Sequence, residues 1–208
     1  MPRQSWLPTS APGPLDSRPV QEWCSTTAAS PDPGLVPRGI TRRSNPVSDE
    51  RRIQEVLARY VRATDRRDGK TQGALFTDDA IVQIYIKTGQ DSQEPFGEPL
   101  IGGAGVEFAV EHFMAPHPKG SSSHHTTADH IIDVDGDNAH MSAQFIVYSV
   151  KASERPEAGW PEGVFGAQGT VRPIESGYYE TDLRRIDGEW KIVKHSIHMD
   201  MPIAVPGA

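Results

Sequence analysis

Asp135-Gly136-Asp137-Asn138 stands between two long runs of alternating apolar and polar side chains, His124–Val134 and Ala139–Lys151. Asp-Gly between alternating runs is a hairpin signal, because a tight turn needs the left-handed backbone that Gly, Asn and Asp tolerate. The arrangement recurs, with Asp187-Gly188 between the strands Glu175–Arg185 and Glu189–Met201. Four long strands joined this way form an antiparallel meander with one face to bury.

The cover for that face lies upstream. Ser48 is placed to cap a helix, with Asp49 and Glu50 at the positive end of its dipole. Ile53, Val56, Leu57, Tyr60, Val61 and Thr64 recur at helical spacing, which predicts an amphipathic helix of about 17 residues that stops at Asp68-Gly69. A short helix around Thr71–Phe76, a turn at Thr77-Asp78-Asp79 and a strand Ala80–Lys87 follow. Ser92–Glu98 reads as loop, and Gly102-Gly103 opens a third helix with Val106, Phe108, Ala109, Phe113 and Met114 on its apolar face. The class is α+β: a curved antiparallel sheet wrapped around a long N-terminal helix, with two shorter helices.

Residues 1–46 differ in kind. Proline recurs at positions 2, 8, 12, 14, 19, 31, 33, 37 and 46 with no periodic apolar pattern. Such a segment buries too little to offset its ordering entropy, so a disordered extension is expected before a domain spanning 47–208. Its start lacks the continuous apolar core of a secretion signal, which makes the cytoplasm the default location. No apolar run reaches membrane-spanning length. The net charge of −7 and scattered arginine pairs argue against a nucleic-acid partner. One cysteine, Cys24, rules out an internal disulfide and a multi-cysteine zinc site.

Two residues stand out as chemistry. Asp65 follows Val61 by four and Leu57 by eight, so it falls on the buried face near the helix C-terminus. Desolvation and the dipole both oppose its charge there, as suits a general base. The bland reading is a frayed, solvated carboxylate. His124 is the second. Counting back from Ile132 and Val134 places His130, Ala128, Thr126 and His124 on the inward face and His125 on the other. A bulge would exchange the two histidines, and Asp129–His130 is an unpatterned spot for one. Tyr60 shares the helix face with Asp65, and Tyr179, Tyr85 and Tyr148 are further candidates for a pocket wall. Eight histidines raise the question of a metal, but adjacent His124 and His125 diverge, as do His195 and His198, and no HExxH pattern occurs.

Tyr60-x4-Asp65, Leu75-Phe76-Thr77-Asp78-Asp79-Ala80, Ser123-His124-His125-Thr126, Gly177-Tyr178-Tyr179-Glu180 and Arg185-Ile186-Asp187-Gly188-Glu189-Trp190 occur in an order that resembles the SnoaL-like domains of the nuclear transport factor 2-like superfamily. The resemblance covers about residues 48–201. It implies a cone-shaped α+β barrel around a deep pocket. It also implies an Asp–His pair of the kind used by scytalone dehydratase, a hexachlorocyclohexane dehydrochlorinase and a bile-acid 7α-dehydratase, here Asp65 and His124.

The expected activity is that of a cofactor-independent lyase of dehydratase type. His124 exchanges protons, Asp65 holds its tautomer, and Tyr60 and Tyr179 polarise the substrate. The substrate is a small hydrophobic alicyclic, steroid-like or polyketide-like molecule. Tyr179, Tyr85, Tyr148, Phe113, Leu57 and Trp160 contact it, and the 152–173 loop carrying Trp160 and Phe165 is a candidate lid. No cofactor or metal is expected, and a homo-oligomer, dimer or trimer, is. Two alternatives stay open: an isomerase or cyclase using a pocket carboxylate, and a non-catalytic binder or accessory subunit.

Overall fold

The computed structural model describes residues 47–89 and 92–203, so the expected extension over 1–46 lies outside the described residues. Helix α1 (Asp49–Arg66) starts where Ser48 accepts a hydrogen bond from the Arg51 amide and ends where Arg67 turns left-handed at φ 58°. It buries Ile53, Val56, Leu57, Tyr60, Val61 and Thr64, the predicted face. Helix α2 (Gly69–Gly73) is capped by Asp68, which accepts from the Thr71 amide. Strands β1 (Phe76–Lys87) and β2 (Gln93–Ile101), helix α3 (Gly102–Phe113) and strands β3 (Ser121–Asp135), β4 (Asn138–Ala152), β5 (Gly169–Ile186) and β6 (Glu189–Met199) complete the domain.

Helices α2 and α3 meet backbone to backbone. A Cβ on Gly73 would sit 2.5 Å from the Gly103 carbonyl oxygen, and one on Gly103 would strike the Gly73 carbonyl in turn. This close approach accounts for Gly73 and Gly103, while Gly102 is left-handed at φ 65° and lies against the Asp78 carbonyl.

The six strands run in the order β2-β1-β6-β5-β4-β3. Both hairpins form where expected. Three features depart from expectation. Strand β1 already begins at Phe76, so Thr77-Asp78-Asp79 lies within it and is not a turn before it. Ser92–Glu98 is not a loop: Gln93 onward is strand β2, at the sheet edge, where Pro95 and Pro99 are tolerated because one side of the strand needs no ladder. The sheet is also mixed rather than antiparallel throughout, since β1 runs parallel to β6, Val82 beside His195 and Tyr85 beside His198.

The core lies between α1 and the inner sheet face, with Phe145, Ile53, Leu57, Met141, Leu183 and Ile192 fully enclosed. The start of α1 is tied to the last hairpin. Asp49 accepts from Arg185 at 2.6 Å and from the Trp190 indole at 3.2 Å, and the Arg185 guanidinium lies 4.6 Å from the Trp190 ring centre. Together these clamp the helix over the sheet, so that residues near its C-terminus reach a defined place on β3.

Candidate functional site

A cavity of about 600 Å3 opens between the C-terminal half of α1, helix α3 and the inner sheet face. Its walls are mostly apolar and aromatic, with Val82, Leu100, Val106, Phe113, Phe145 and Met199 among them. A few polar groups interrupt them: Tyr60, Thr64, Gln72, Glu98, His125, Glu175 and Tyr179. An apolar hollow with few convergent polar groups is the usual form of a small-molecule site.

The histidine in that wall is His125, not His124. His124 is exposed on the opposite face, paired across the strands with Tyr148. The cause is a bulge. Ala128 pairs with Gln144 and Ile131 with Ser142, so β3 carries one residue more than β4 between those pairs. Asp129 takes the extra place with φ 51°, a left-handed conformation that Asp tolerates better than most residues. Ile132 and Val134 do face inward as counted, but the parity reverses at Asp129, and Ser123, His125 and Thr127 become the inward set.

Asp65 is at the end of α1 as expected and meets His125. His125 Nδ1 lies 2.6 Å from Asp65 Oδ1, the His125 amide donates to Oδ2 at 3.0 Å, and the buried Ser123 hydroxyl donates to Oδ1 at 2.8 Å. Both side chains are sheltered, Asp65 13% and His125 11% exposed. Far from being the unassisted buried carboxylate expected from the sequence, Asp65 has both oxygens occupied, and it stands behind the cavity wall rather than in it. His117 completes the group, its Nε2 donating to the Asp65 carbonyl at 2.9 Å. With Nδ1 turned to Asp65, the His125 ring has Nε2 free, and no partner binds that nitrogen among the described residues.

Tyr60 and Tyr179 both line the cavity, their rings edge-on at 5.8 Å. Burial pushes both phenols up, and for Tyr179 the neighbouring Tyr60, Glu175 and Asp65 push the same way, so each stays a hydrogen-bond donor at neutral pH. Phe145 stacks on Tyr179 at 4.3 Å. Behind them His195 is enclosed by Tyr60, Phe76 and Tyr179 and, among the described residues, is bonded only to Thr181 through Nδ1 at 2.9 Å; burial alone lowers its pKa to about 3.

Of the other expected contacts, Phe113 lines the cavity. Leu57 is 1% exposed and belongs to the packed core. Tyr85 and Tyr148 point the other way, since Tyr85 stacks on His198 at 4.8 Å, opposite in parity to the cavity-lining Ile84, and Tyr148 shares the outer face with His124. Trp160 and Phe165 are exposed, Phe165 at 92%, and neither lines the cavity, so the loop does not lie over it as a lid. Sequence reasoning did not single out Ser123, Gln72 or Glu175. Glu175 has the inward parity of Tyr179 on β5, which was the available signal.

Fold and site together define a pocket protein of the nuclear transport factor 2-like fold. The chain belongs to the SnoaL-like domain family, whose model matches residues 45–195. No curated protein matches it. Solved structures share the fold at low identity. ActVI-ORFA from Streptomyces coelicolor is 16% identical over 72% of this chain and 95% of its own, with a TM-score of 0.54. A protein of unknown function with a cystatin-like fold from Nostoc punctiforme is 18% identical over 75% and 96%, with a TM-score of 0.53. The beta subunit of a candidate aromatic-ring-hydroxylating dioxygenase from Novosphingobium aromaticivorans is 15% identical over 74% and 90%, with a TM-score of 0.53. Likeness at this level of identity shows the fold alone, and the site has to carry the functional argument.

Proposed function

We propose that this protein is a lyase of dehydratase type that needs only proton transfers at its own side chains. It acts on a small hydrophobic alicyclic, steroid-like or polyketide-like ketone. One observation carries the reading: a histidine in the wall of an apolar cavity, bonded through Nδ1 to a sheltered carboxylate at 2.6 Å, with no partner on Nε2 among the described residues. Asp65 fixes the tautomer and compensates the ring charge whenever Nε2 takes a proton, which is the role of the carboxylate in Asp–His pairs generally. Tyr60 and Tyr179 supply protonated hydroxyls for a carbonyl oxygen on which charge develops.

The test is a bicyclic β-hydroxy ketone, 3-hydroxy-1-tetralone. Loss of the C2 proton and the C3 hydroxyl releases water, and the product tautomerises to fluorescent 1-naphthol. Catalysed release that falls with His125→Ala supports the reading, and a rate equal to that in buffer overturns it. A second reading, an isomerase or cyclase, is favoured by the presence of the Glu175 carboxylate in the same cavity. It predicts proton exchange on a ketone without loss of water.

A further inference from the structure

We infer that Glu175 is the second proton-transfer group of this site, the base that takes a proton from carbon while His125 protonates the departing oxygen. The inference rests on the proton-transfer reading above and assigns its missing half.

The sheet register places the two residues. His125 on β3 is directly opposite Val147 on β4, and Val147 is directly opposite Glu175 on β5. Residues opposite one another in a ladder share a face, and Val147 is buried on the inner one. His125 and Glu175 therefore stand in one row, two strand spacings or roughly 9.5 Å apart between Cα atoms. Both line the cavity.

Their bonding differs in the way the chemistry requires. The oxygens of Asp65 accept three hydrogen bonds, which leaves that carboxylate occupied. No hydrogen bond or ion pair engages Glu175 among the described residues. Arg67, the cation in its field, spends its guanidinium on the Thr64 and Ala115 carbonyls, at 2.7 and 3.1 Å. Glu98 is the other carboxylate in the cavity wall, but it lies on edge strand β2, outside the row with His125.

The step balances without a further reactant. Glu175 takes the proton from the carbon next to the carbonyl. The electron pair of that C–H bond becomes the C=C bond, the C–O bond breaks, and the leaving oxygen takes the Nε2 proton of the charged His125 ring to depart as water. Glu175 is then neutral, His125 is neutral, and solvent returns the proton from one to the other.

The two halves are separable by experiment. Exchange of the C2 hydrogens of 1-tetralone in D2O, followed by NMR, needs the base but no leaving group. Dehydration of 3-hydroxy-1-tetralone needs both. Glu175→Gln keeps the shape and is expected to lose both activities by about 100-fold, with its fold checked by circular dichroism. Glu175→Asp keeps the charge and is expected to recover part of the exchange. Exchange in Glu175→Gln within threefold of the native protein overturns the assignment. Exchange that depends on Glu175 in a protein that does not dehydrate the hydroxy ketone supports the base and removes the lyase reading. Absence of both activities in the native protein overturns both.

Discussion

His125 lies 2.6 Å from Asp65, while His124, one residue earlier on the same strand, faces solvent beside Tyr148. Adjacent histidines on a strand point to opposite faces, so only one can serve the cavity. His125→Ala is expected to lower kcat for 3-hydroxy-1-tetralone by about 10²- to 10⁴-fold, the usual contribution of a positioned proton-transfer group. His124→Ala is expected to stay within about threefold. Equal losses in the two variants would refute the assignment.

Asp65→Asn keeps the shape but presents an amide group to Nδ1. The wrong tautomer then becomes the stable one, and kcat should fall by roughly 100-fold or more while KM changes little. A change confined to KM would mean that Asp65 shapes the cavity instead of orienting the ring.

The bulge that selects His125 depends on Asp129 at φ 51°. Glycine adopts this conformation freely, so Asp129→Gly should be neutral or stabilising by up to about 1 kcal/mol. Asp129→Val should cost about 1–2 kcal/mol, because a β-branched residue resists the left-handed region. Urea midpoints compare the three proteins, and a Val variant as stable as the native chain would show that the bulge is not strained in the way described.

Gly177 is the point where β5 passes under Phe145. A Cβ there would strike the His198 carbonyl oxygen and come within 2.9 Å of the Phe145 ring. Gly177→Ala should therefore destabilise by about 1–3 kcal/mol, the range for overpacking a close-packed site. It should also displace the Phe145–Tyr179 stack in the cavity wall. Near-ultraviolet circular dichroism and a denaturation curve test both parts, and an unshifted midpoint would contradict the packing.

His195 couples the core to pH. Burial lowers its pKa from 6.5 to about 3 in the folded protein, while the unfolded chain keeps the ordinary value. Between those two values only the unfolded state binds the proton, so stability is full above about pH 6.5 and declines as pH falls toward 3. His195→Gln removes this contribution, so its stability should fall less steeply than the native protein's between pH 6 and pH 4. Parallel curves for the two would rule His195 out as the cause.

Much of this architecture is legible residue by residue. The spacing of Ile53, Leu57, Tyr60 and Val61 predicts α1 and its buried face, and Asp65 follows at that helix's end by the same count. The two Asp-Gly turns predict both hairpins. Edge strand β2 escapes such reading because Pro95, Gly97 and Pro99 imitate a loop, and only its place at the sheet edge makes them acceptable. The parallel pairing of β1 with β6 is likewise invisible, since it joins segments far apart in the chain.

Local rules of periodicity, capping and turn chemistry act over a few residues, and to that range the sequence by itself determined the helices, the hairpins, the inward parity near Val134 and the presence of a carboxylate at the end of α1. The choice between His124 and His125 lay beyond it. A single extra residue at Asp129 reverses every side chain before it, and that insertion is defined only by pairing with β4. The row of His125, Val147 and Glu175 arises in the same way, from the register of three strands brought together by packing. Tertiary structure decided which residues meet in the cavity because their contacts are set by strand pairing across long stretches of chain, and no local pattern encodes that register.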